Sequence, residues 1–306
     1  MALVSVIGAG VAGPAAALAL AHHGHTVTVW EQRPESELKS DGILGITRAN
    51  FKDLAELGAD LSMVELPNQF TNVNKGTTSW SSYHYITWTD LHNVLSQTAK
   101  DAGVTFRYGH KMEEVVDADI VVRATGVAGA SEVSTPTYTG YVVVRGLSTK
   151  FAGTNWATVY GDDEVSGQWR FAVGDTRDGA SITMFVKRKN VWKRTTYTAV
   201  APIETEQLAP EFRELVKATA IFQVAPMSDW SVPEVMREVK GLATEFRIGD
   251  ALGPMRPQTS MGANLGINEA LSIPDMIPND RTSHIIEGQL LQVREYTRQV
   301  GMMQGI

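Results

Sequence analysis

The 306-residue chain contains no cysteine. That excludes disulfides, thiolate nucleophiles, and zinc or iron–sulfur sites held by Cys ligands. The absence fits a reducing compartment, and the expected location is cytoplasmic. Positive charge is in deficit: 27 Lys and Arg stand against 34 Asp and Glu, a net charge of -7. This argues against nucleic acid or an anionic membrane as a standing partner. No apolar run approaches the ~20 residues of a membrane span. The opening MALVSVIGAGVAGPAAALALA lacks a basic n-region and is broken by glycines and a proline, so it does not read as a secretory signal. Repeats, heptads and low-complexity tracts are missing too. No His/Glu constellation has metal-ligand spacing, and no metal is expected. What is present is 43% hydrophobic residues, enough to build one large core or two modest ones.

The most informative stretch comes first. Leu3–Ile7 is a short apolar run that reads as a buried strand. Gly8-Ala9-Gly10-Val11-Ala12-Gly13 follows at once, with Pro14 where a first helical residue belongs. Ala15 to His23 reads as a helix capped by Gly24, and Thr26 to Trp30 as a second strand ending at Glu31. A dinucleotide site needs this order. Gly8 permits the tight turn, Gly10 lets backbone approach a pyrophosphate, and Gly13 lets helix and strand pack closely. The helix N-terminus, at Val11 and Ala12, offers N–H groups to the phosphates. Glu31 accepts from ribose hydroxyls, with Gln32 and Arg33 beside it, and its charge disfavours a 2′-phosphate. The motif alone leaves NAD and FAD open. A plain glycine turn with a solvated Glu31 is the structural alternative.

Further along, Asn50 to Leu57 reads as a helix, and residues 59 to 85 as a strand pair with an aromatic cluster at Trp80, Tyr83 and Tyr85. Thr89 to Ala102 reads as an amphipathic helix with Thr89 as N-cap. Val104 to Arg107 and Ile120 to Val122 read as short strands. Ala124-Thr125-Gly126 then falls at a strand's C-terminal end, where open α/β sheets place ligands. From Tyr138 to Phe185 the pattern changes to short aromatic and β-branched strands, an antiparallel sheet. Glu206 to Phe222 reads as a helix, Leu242 to Ile248 as a strand, and Ser283 to Met303 as a terminal helix. The predicted fold class is therefore mixed α/β: a Rossmann-like domain interleaved with a mostly antiparallel sheet domain. The expected boundaries are 1–58, 86–130 and 241–306 for the nucleotide-binding domain, and 59–85 and 131–240 for the substrate domain.

Between the last strand and the last helix lies RIGDALGPMRPQTSMGANLG, residues 247 to 266. With the N-terminal fingerprint, TDLHNVLSQTA (89–99), ADIVVRATG (118–126) and YVVVRG (141–146), it resembles the FAD-dependent aromatic hydroxylases of the p-hydroxybenzoate hydroxylase type. RPQTSMGAN is similar to the dihydroxypyridine hydroxylase branch. The resemblance implies FAD as cofactor, with Asp250 of the Gly249-Asp250 pair on a ribityl hydroxyl. It implies that Gly262, Ala263 and Asn264 offer backbone N–H groups to the pyrimidine edge of the flavin, and that Pro257 shapes the wall between flavin and substrate. Thr125 and Gly126 complete the expected cofactor set. It also implies the reaction: NADH or NADPH reduces the flavin, O2 adds to give a C4a-hydroperoxide, and a small aromatic or heteroaromatic ring is hydroxylated. The nicotinamide is a transient co-substrate, and the protein is expected to be a monomer or homodimer.

This sequence departs from the family pattern at named positions. Thr125-Gly126 stands where Asp-Gly is frequent, Ser131 has no arginine after it, Trp88 replaces an FAD-contacting arginine, and Leu252 replaces a histidine. Each removes a polar contact near the cofactor. They motivate two alternatives: a flavoprotein of another reaction class (oxidase, dehydrogenase or cyclisation catalyst), and a non-catalytic member. Substrate-side candidates are Tyr83, His84, Tyr85, Tyr160, Trp169, Arg170 and Tyr197. His84 and Tyr85 are favoured for taking a phenolic proton, and Arg170 for holding an acidic substrate. For each of these, strand packing is the competing role.

Overall fold

A computed structural model describes residues 1–40, 42–61, 69–72, 77–80, 83–111, 118–151, 157–163, 167–176, 178–187, 210–241, 243–278 and 280–303. The chain opens with β1 (Leu3–Ile7), α1 (Ala12–His22) and β2 (Thr26–Glu31). β1 pairs in parallel with β2 on one side and with β8 (Ile120–Arg123) on the other. β7 (Thr105–Tyr108) joins beyond β2, and β15 (Ala243–Arg247) joins beyond β8, both in parallel. β14 (Arg237–Lys240) closes that edge as an antiparallel hairpin with β15. The order is β14-β15-β8-β1-β2-β7.

A sheet with helices on its faces buries both sides of its strands: Val4, Val6, Val27, Val29, Ile120, Val122 and Phe246 are in register on one face, and Ile7 and Val121 are buried on the other. α1 is apolar all round because it is covered by the sheet, by α3 (Trp88–Asp101) and by α6 (Gly262–Met276). It starts at Ala12, two residues before the expected start at Pro14. Pro14 still lies in the first turn, where its missing N–H costs no helical bond. α3 starts at Trp88, and its N-cap is Thr87, whose hydroxyl accepts from Asp90 N at 3.0 Å. Thr89, the expected cap, instead donates to Ser40 O and accepts from Ser40 N, tying the helix to the loop after β2.

The second layer is a seven-stranded sheet of order β13-β9-β12-β11-β10-β4-β5. It comprises β4 (Gln69–Asn72), β5 (Thr77–Trp80), β9 (Thr137–Ser148), β10 (Ala157–Asp163), β11 (Gly167–Thr176), β12 (Gly179–Lys187) and β13 (Thr219–Asp229). All but the β10–β4 pairing are antiparallel. A two-stranded ladder of β3 (Ile43–Thr47) and β6 (Tyr83–Thr87) bridges the layers, beside α2 (Arg48–Glu56).

Two expectations change. The helix expected from Glu206 to Phe222 is α5 (Pro210–Lys217), and the chain from Thr219 onward is strand β13. The β-branched and aromatic run TAIF favours the sheet once it has β9 to pair with. β14 belongs to the parallel sheet although it falls within the 131–240 span assigned to the middle domain, because the turn at Gly241 folds it back on β15. The other helices are α4 (Val127–Val133) after β8, α6 after the 247–262 loop, and α7 (Arg281–Met303).

Candidate functional site

Strand registry assembles the site. Ile7 sits opposite Arg123, and Arg123 opposite Arg247, so β1, β8 and β15 end at one level. The loops that leave them, Gly8 to Val11, Ala124 to Gly126 and Ile248 to Asp250, therefore emerge side by side at the sheet's C-terminal edge. Ladder bonds hold them in place: Ala124 N donates to Ile7 O at 2.8 Å, and Ile248 N to Arg123 O at 3.0 Å.

The glycines of the first loop differ in role. A methyl on Gly8 would overlap the Ala124 carbonyl, and one on Gly13 would overlap the Gly8 carbonyl. Both are packing glycines. A methyl on Gly10 would meet nothing within 4 Å. Gly10, Val11 and Ala12 instead line a cavity of about 430 Å³. Glu31 acts on this loop from below. Its Oε2 accepts from Ala9 N and its Oε1 from Arg33 N, both at 2.9 Å, and Arg33 Nε lies 3.2 Å from Oε1. Burial pushes the Glu31 carboxyl up, but those N–H groups and the guanidinium outweigh it and hold it below the usual range. Gln32 and Arg33 are exposed next to it.

The 247–262 loop forms the opposite side. Gly249, Asp250, Pro257, Gly262 and Ala263 all line the same cavity. Gly249 approaches Ala12, and Gly266 of α6 packs against both, so the N-termini of α1 and α6 converge around the Gly249-Asp250 pair. α6 carries no side-chain cap, which leaves its leading N–H groups facing that cavity. Asp250 lies deep in the molecule, yet its surface is open to the cavity. Burial pushes its carboxyl above the usual range, against the pull of Arg294 and Arg145.

Behind Asp250 stands a buried ion pair that sequence reading misses. Arg294 of α7 and Glu269 of α6 are both 1% exposed and meet at 2.7 Å. Glu269 Oε2 accepts from Gly249 N at 2.7 Å, and Arg294 donates to Gly249 O at 3.0 Å and to Gly253 O. The pair therefore grips both polar groups of the Gly249 backbone. Its only sequence trace is a charge inside each amphipathic helix.

The expectation for Asn264 concerns its backbone N–H; its side chain has a structural role of its own. Its side chain is fully buried and absent from the cavity wall. It donates to Gly45 O at 2.7 Å and Ser260 O at 2.8 Å, and accepts from Thr47 N at 2.8 Å and from Asn50. It joins β3 and α2 to the start of α6. Ser260, which it holds, has a left-handed φ of 55° and lines the cavity. Thr125 lies off the wall, its Oγ1 buried beside Gly129 with no hydrogen-bond partner among the described residues, while Gly126 is on the wall.

Alternation on β6 separates the two favoured substrate residues. Tyr85 lines the cavity; His84 points to the other face and stacks on Phe51 with ring centroids 4.3 Å apart. The structure thus does not bring His84 to the site. Tyr83 reaches Met261 Sδ at 3.8 Å. The side chains of Tyr160, Trp169 and Arg170, and all of Tyr197, lie outside the described residues. Trp88 lines the cavity and stacks on buried His92 at 4.9 Å, nearly parallel. Leu252 is core, 1% exposed. The sheet wall is Arg145, Thr183 and Phe185. Arg145 lies in the YVVVRG stretch, but nothing in that stretch says which strand face meets a ligand.

Residues 6–36 match the model of an NAD(P)-binding Rossmann-like domain. Over nearly the whole length, the chain superposes on 2,6-dihydroxypyridine-3-hydroxylase from Arthrobacter nicotinovorans, with a TM-score of 0.75 at 16% identity, covering 99% of this chain and 92% of that one. It superposes equally well on CtdE in complex with FAD, with a TM-score of 0.73 at 17% identity, covering 99% and 93%. The fold is that of the FAD-binding hydroxylases. In sequence, the chain is similar to hispidin-3-hydroxylase of Neonothopanus nambi, 23% identical over 357 residues, covering 94% of this chain and 83% of the relative. Among the described residues no helix is long and apolar enough to cross a membrane, and no acidic or histidine cluster could hold a metal ion.

Proposed function

We propose that the chain is an FAD-dependent monooxygenase that hydroxylates a small aromatic or heteroaromatic substrate, with NADH or NADPH as reductant and O2 as co-substrate. One observation carries the reading. The glycine loop of β1, the Gly249-Asp250 turn and the N-terminus of α6 open on one cavity, and that cavity runs on to a wall of the second sheet. The donors fit FAD. Gly10 has open space for a pyrophosphate, two helix N-termini supply N–H groups, and Asp250 is a carboxylate acceptor for an uncharged polyol. Bound there, the flavin would supply reduction by the nicotinamide and activation of O2.

The chain's own part is to bind, orient and exclude water. Gly262 and Ala263 offer backbone N–H groups and the positive end of α6, which favours negative charge on a reduced ring. Pro257 and Met255 close the wall on that side. Tyr85 is the cavity phenol placed to exchange a proton with a substrate hydroxyl. Two departures at the site favour flavin chemistry other than hydroxylation as the second reading: Trp88 lines the wall in place of a cation, and Leu252 is sealed in the core.

The deciding experiment is purification followed by an absorbance spectrum and an FAD titration. A yellow protein, or one that takes up FAD stoichiometrically, is expected. A colourless protein that binds no added FAD refutes the proposal. NAD(P)H consumption stimulated by a phenol or hydroxypyridine then separates hydroxylation from the second reading.

A further inference from the structure

The end of the cavity beside the first glycine loop presents no cationic side chain among the described residues. Gly10, Val11, Ala12, Ser40, Gly42 and Trp88 line it. A pyrophosphate held there meets N–H groups and the partial charge of the α1 N-terminus. A titratable base stands one layer behind that wall. His92 of α3 is 2% exposed. Its ring lies almost parallel to the Trp88 indole, with centroids 4.9 Å apart.

The surroundings of His92 are built for either charge state. Nδ1 lies 3.4 Å from Asn93 Oδ1, and Nε2 lies 3.3 Å from Ser96 Oγ. An amide oxygen and a hydroxyl can both accept, so an imidazolium would leave neither N–H unpaired. An indole face at this distance attracts a cation. The Ala9 backbone also hydrogen-bonds the ring and favours its charged form, which identifies the Ala9 carbonyl as the partner. Ala9 is thus held from both sides, since Glu31 accepts from its N–H at 2.9 Å. Burial is the strongest influence and keeps His92 below its usual pKa in the FAD-free protein. The charged groups around it offset one another. Arg33 disfavours the imidazolium and Glu35 favours it, while Glu35 is itself paired with Lys100 at 2.6 Å. Glu31 is engaged by Ala9 and Arg33, and Tyr108 of β7 stays neutral because burial pushes its phenol up.

We propose that His92 is a positioning residue of the nucleotide site, which holds the Ala9 turn and takes up one proton from solvent when FAD binds, so that an imidazolium behind Trp88 balances part of the pyrophosphate charge. The proposal rests on the FAD reading of the cavity. Its sign is fixed: the dianion favours the charged ring, so FAD affinity rises as pH falls through the window in which His92 titrates.

The test titrates FAD into the FAD-free full chain by calorimetry, in buffers of different ionisation enthalpy, which counts protons taken up. FAD itself has no group that titrates between about pH 6 and pH 8. The wild type is expected to take up as much as about one proton per FAD, and its affinity to rise about tenfold from pH 8 to pH 6, the equivalent of one pKa unit. His92→Gln keeps an N–H for the Ala9 carbonyl but cannot titrate, so it should lose both the uptake and the tenfold rise. Proton NMR of the wild type needs no variant. The His92 ring resonance, set apart by the ring current of Trp88, should titrate at higher pH once FAD is bound. Three results overturn the proposal: no proton uptake by the wild type, uptake that persists in His92→Gln, which would assign the proton to Asp250, or a His92 midpoint that FAD does not move. A protein that binds no FAD at any pH loses the flavin reading and this proposal with it. One that binds FAD without a proton that depends on His92 loses this proposal alone.

Discussion

The Glu269–Arg294 pair offers the sharpest quantitative test of the site's framework. Both side chains are 1% exposed, and the pair holds Gly249 N, Gly249 O and Gly253 O. Arg294→Met keeps volume but leaves a buried carboxylate with one donor, Gly249 N, and takes a donor from two carbonyls, of which Gly249 O keeps Leu252 N. Breaking a buried pair from one side costs about 3–5 kcal/mol. For a domain of this size 1 kcal/mol moves Tm by roughly 2 °C, so a drop of about 6–10 °C is expected. Glu269→Leu leaves the opposite charge stranded and should cost a similar amount. The double variant strands no charge. Its loss should therefore be well short of the sum, with a coupling of about 3 kcal/mol, since residues in one network do not add. Thermal melts and urea titrations of the four proteins complete the cycle. Additive losses would refute the view that these residues act as one unit. FAD affinity should fall in both single variants, because the Gly249-Asp250 turn loses its anchor.

Gly10→Ala should leave stability within about 0.5 kcal/mol, since nothing lies within 4 Å, but weaken FAD binding at least tenfold, whereas Gly13→Ala should destabilise by about 1–3 kcal/mol through its clash with backbone. Melting curves and FAD titrations separate the two. Asp250→Asn should raise the Tm of the FAD-free protein near pH 8. Burial raises this carboxyl in the folded state, so stability is lost as pH climbs from its unfolded value, about 4, through the raised folded value. The variant's advantage should shrink between pH 8 and pH 5; a gain independent of pH would count against the assignment. Asn264→Ala should cost about 2–4 kcal/mol, as the Gly45 and Ser260 carbonyls lose their donor in a buried setting. His84→Ala should lose about 1 kcal/mol of stacking on Phe51 and leave FAD affinity unchanged; a change in FAD affinity would return His84 to the site.

Backbone-level features were legible in the sequence because they are local. The Gly8-to-Glu31 unit and the Gly249-Asp250 pair are patterns in which residue type follows from a turn or a close approach, and Gly8, Gly13 and Gly266 carry those demands in the structure. Side-chain direction was less legible. His84 and Tyr85 are neighbours in an aromatic cluster, and only the β3–β6 ladder decides which of them faces the cavity. Arg145 was quoted inside a strand motif, yet strand residues on both faces of β9 are buried, so alternation gave no direction. Asn264 illustrates a third limit. Its backbone N–H could be read from the glycine turn it follows, but nothing local marks its side-chain partners, which lie more than 200 residues away at Gly45, Thr47 and Asn50.

These observations converge on α6. Its first turn offers N–H groups to the cavity, and Asn264 anchors that turn to β3. Gly266, one turn on, lets the helix press against Ala12 and Gly249, and Glu269 then captures Gly249 N. Positions 262, 266 and 269 fall on one helical face by the i, i+4, i+7 rule. One element thus sets the distance between the first glycine loop, the Gly249-Asp250 turn and β3. Site geometry and local stability are then a single property. Variants along that face should lose FAD affinity in proportion to their loss of stability, while a change at Gly10, which touches none of these contacts, should break the correlation by losing affinity alone.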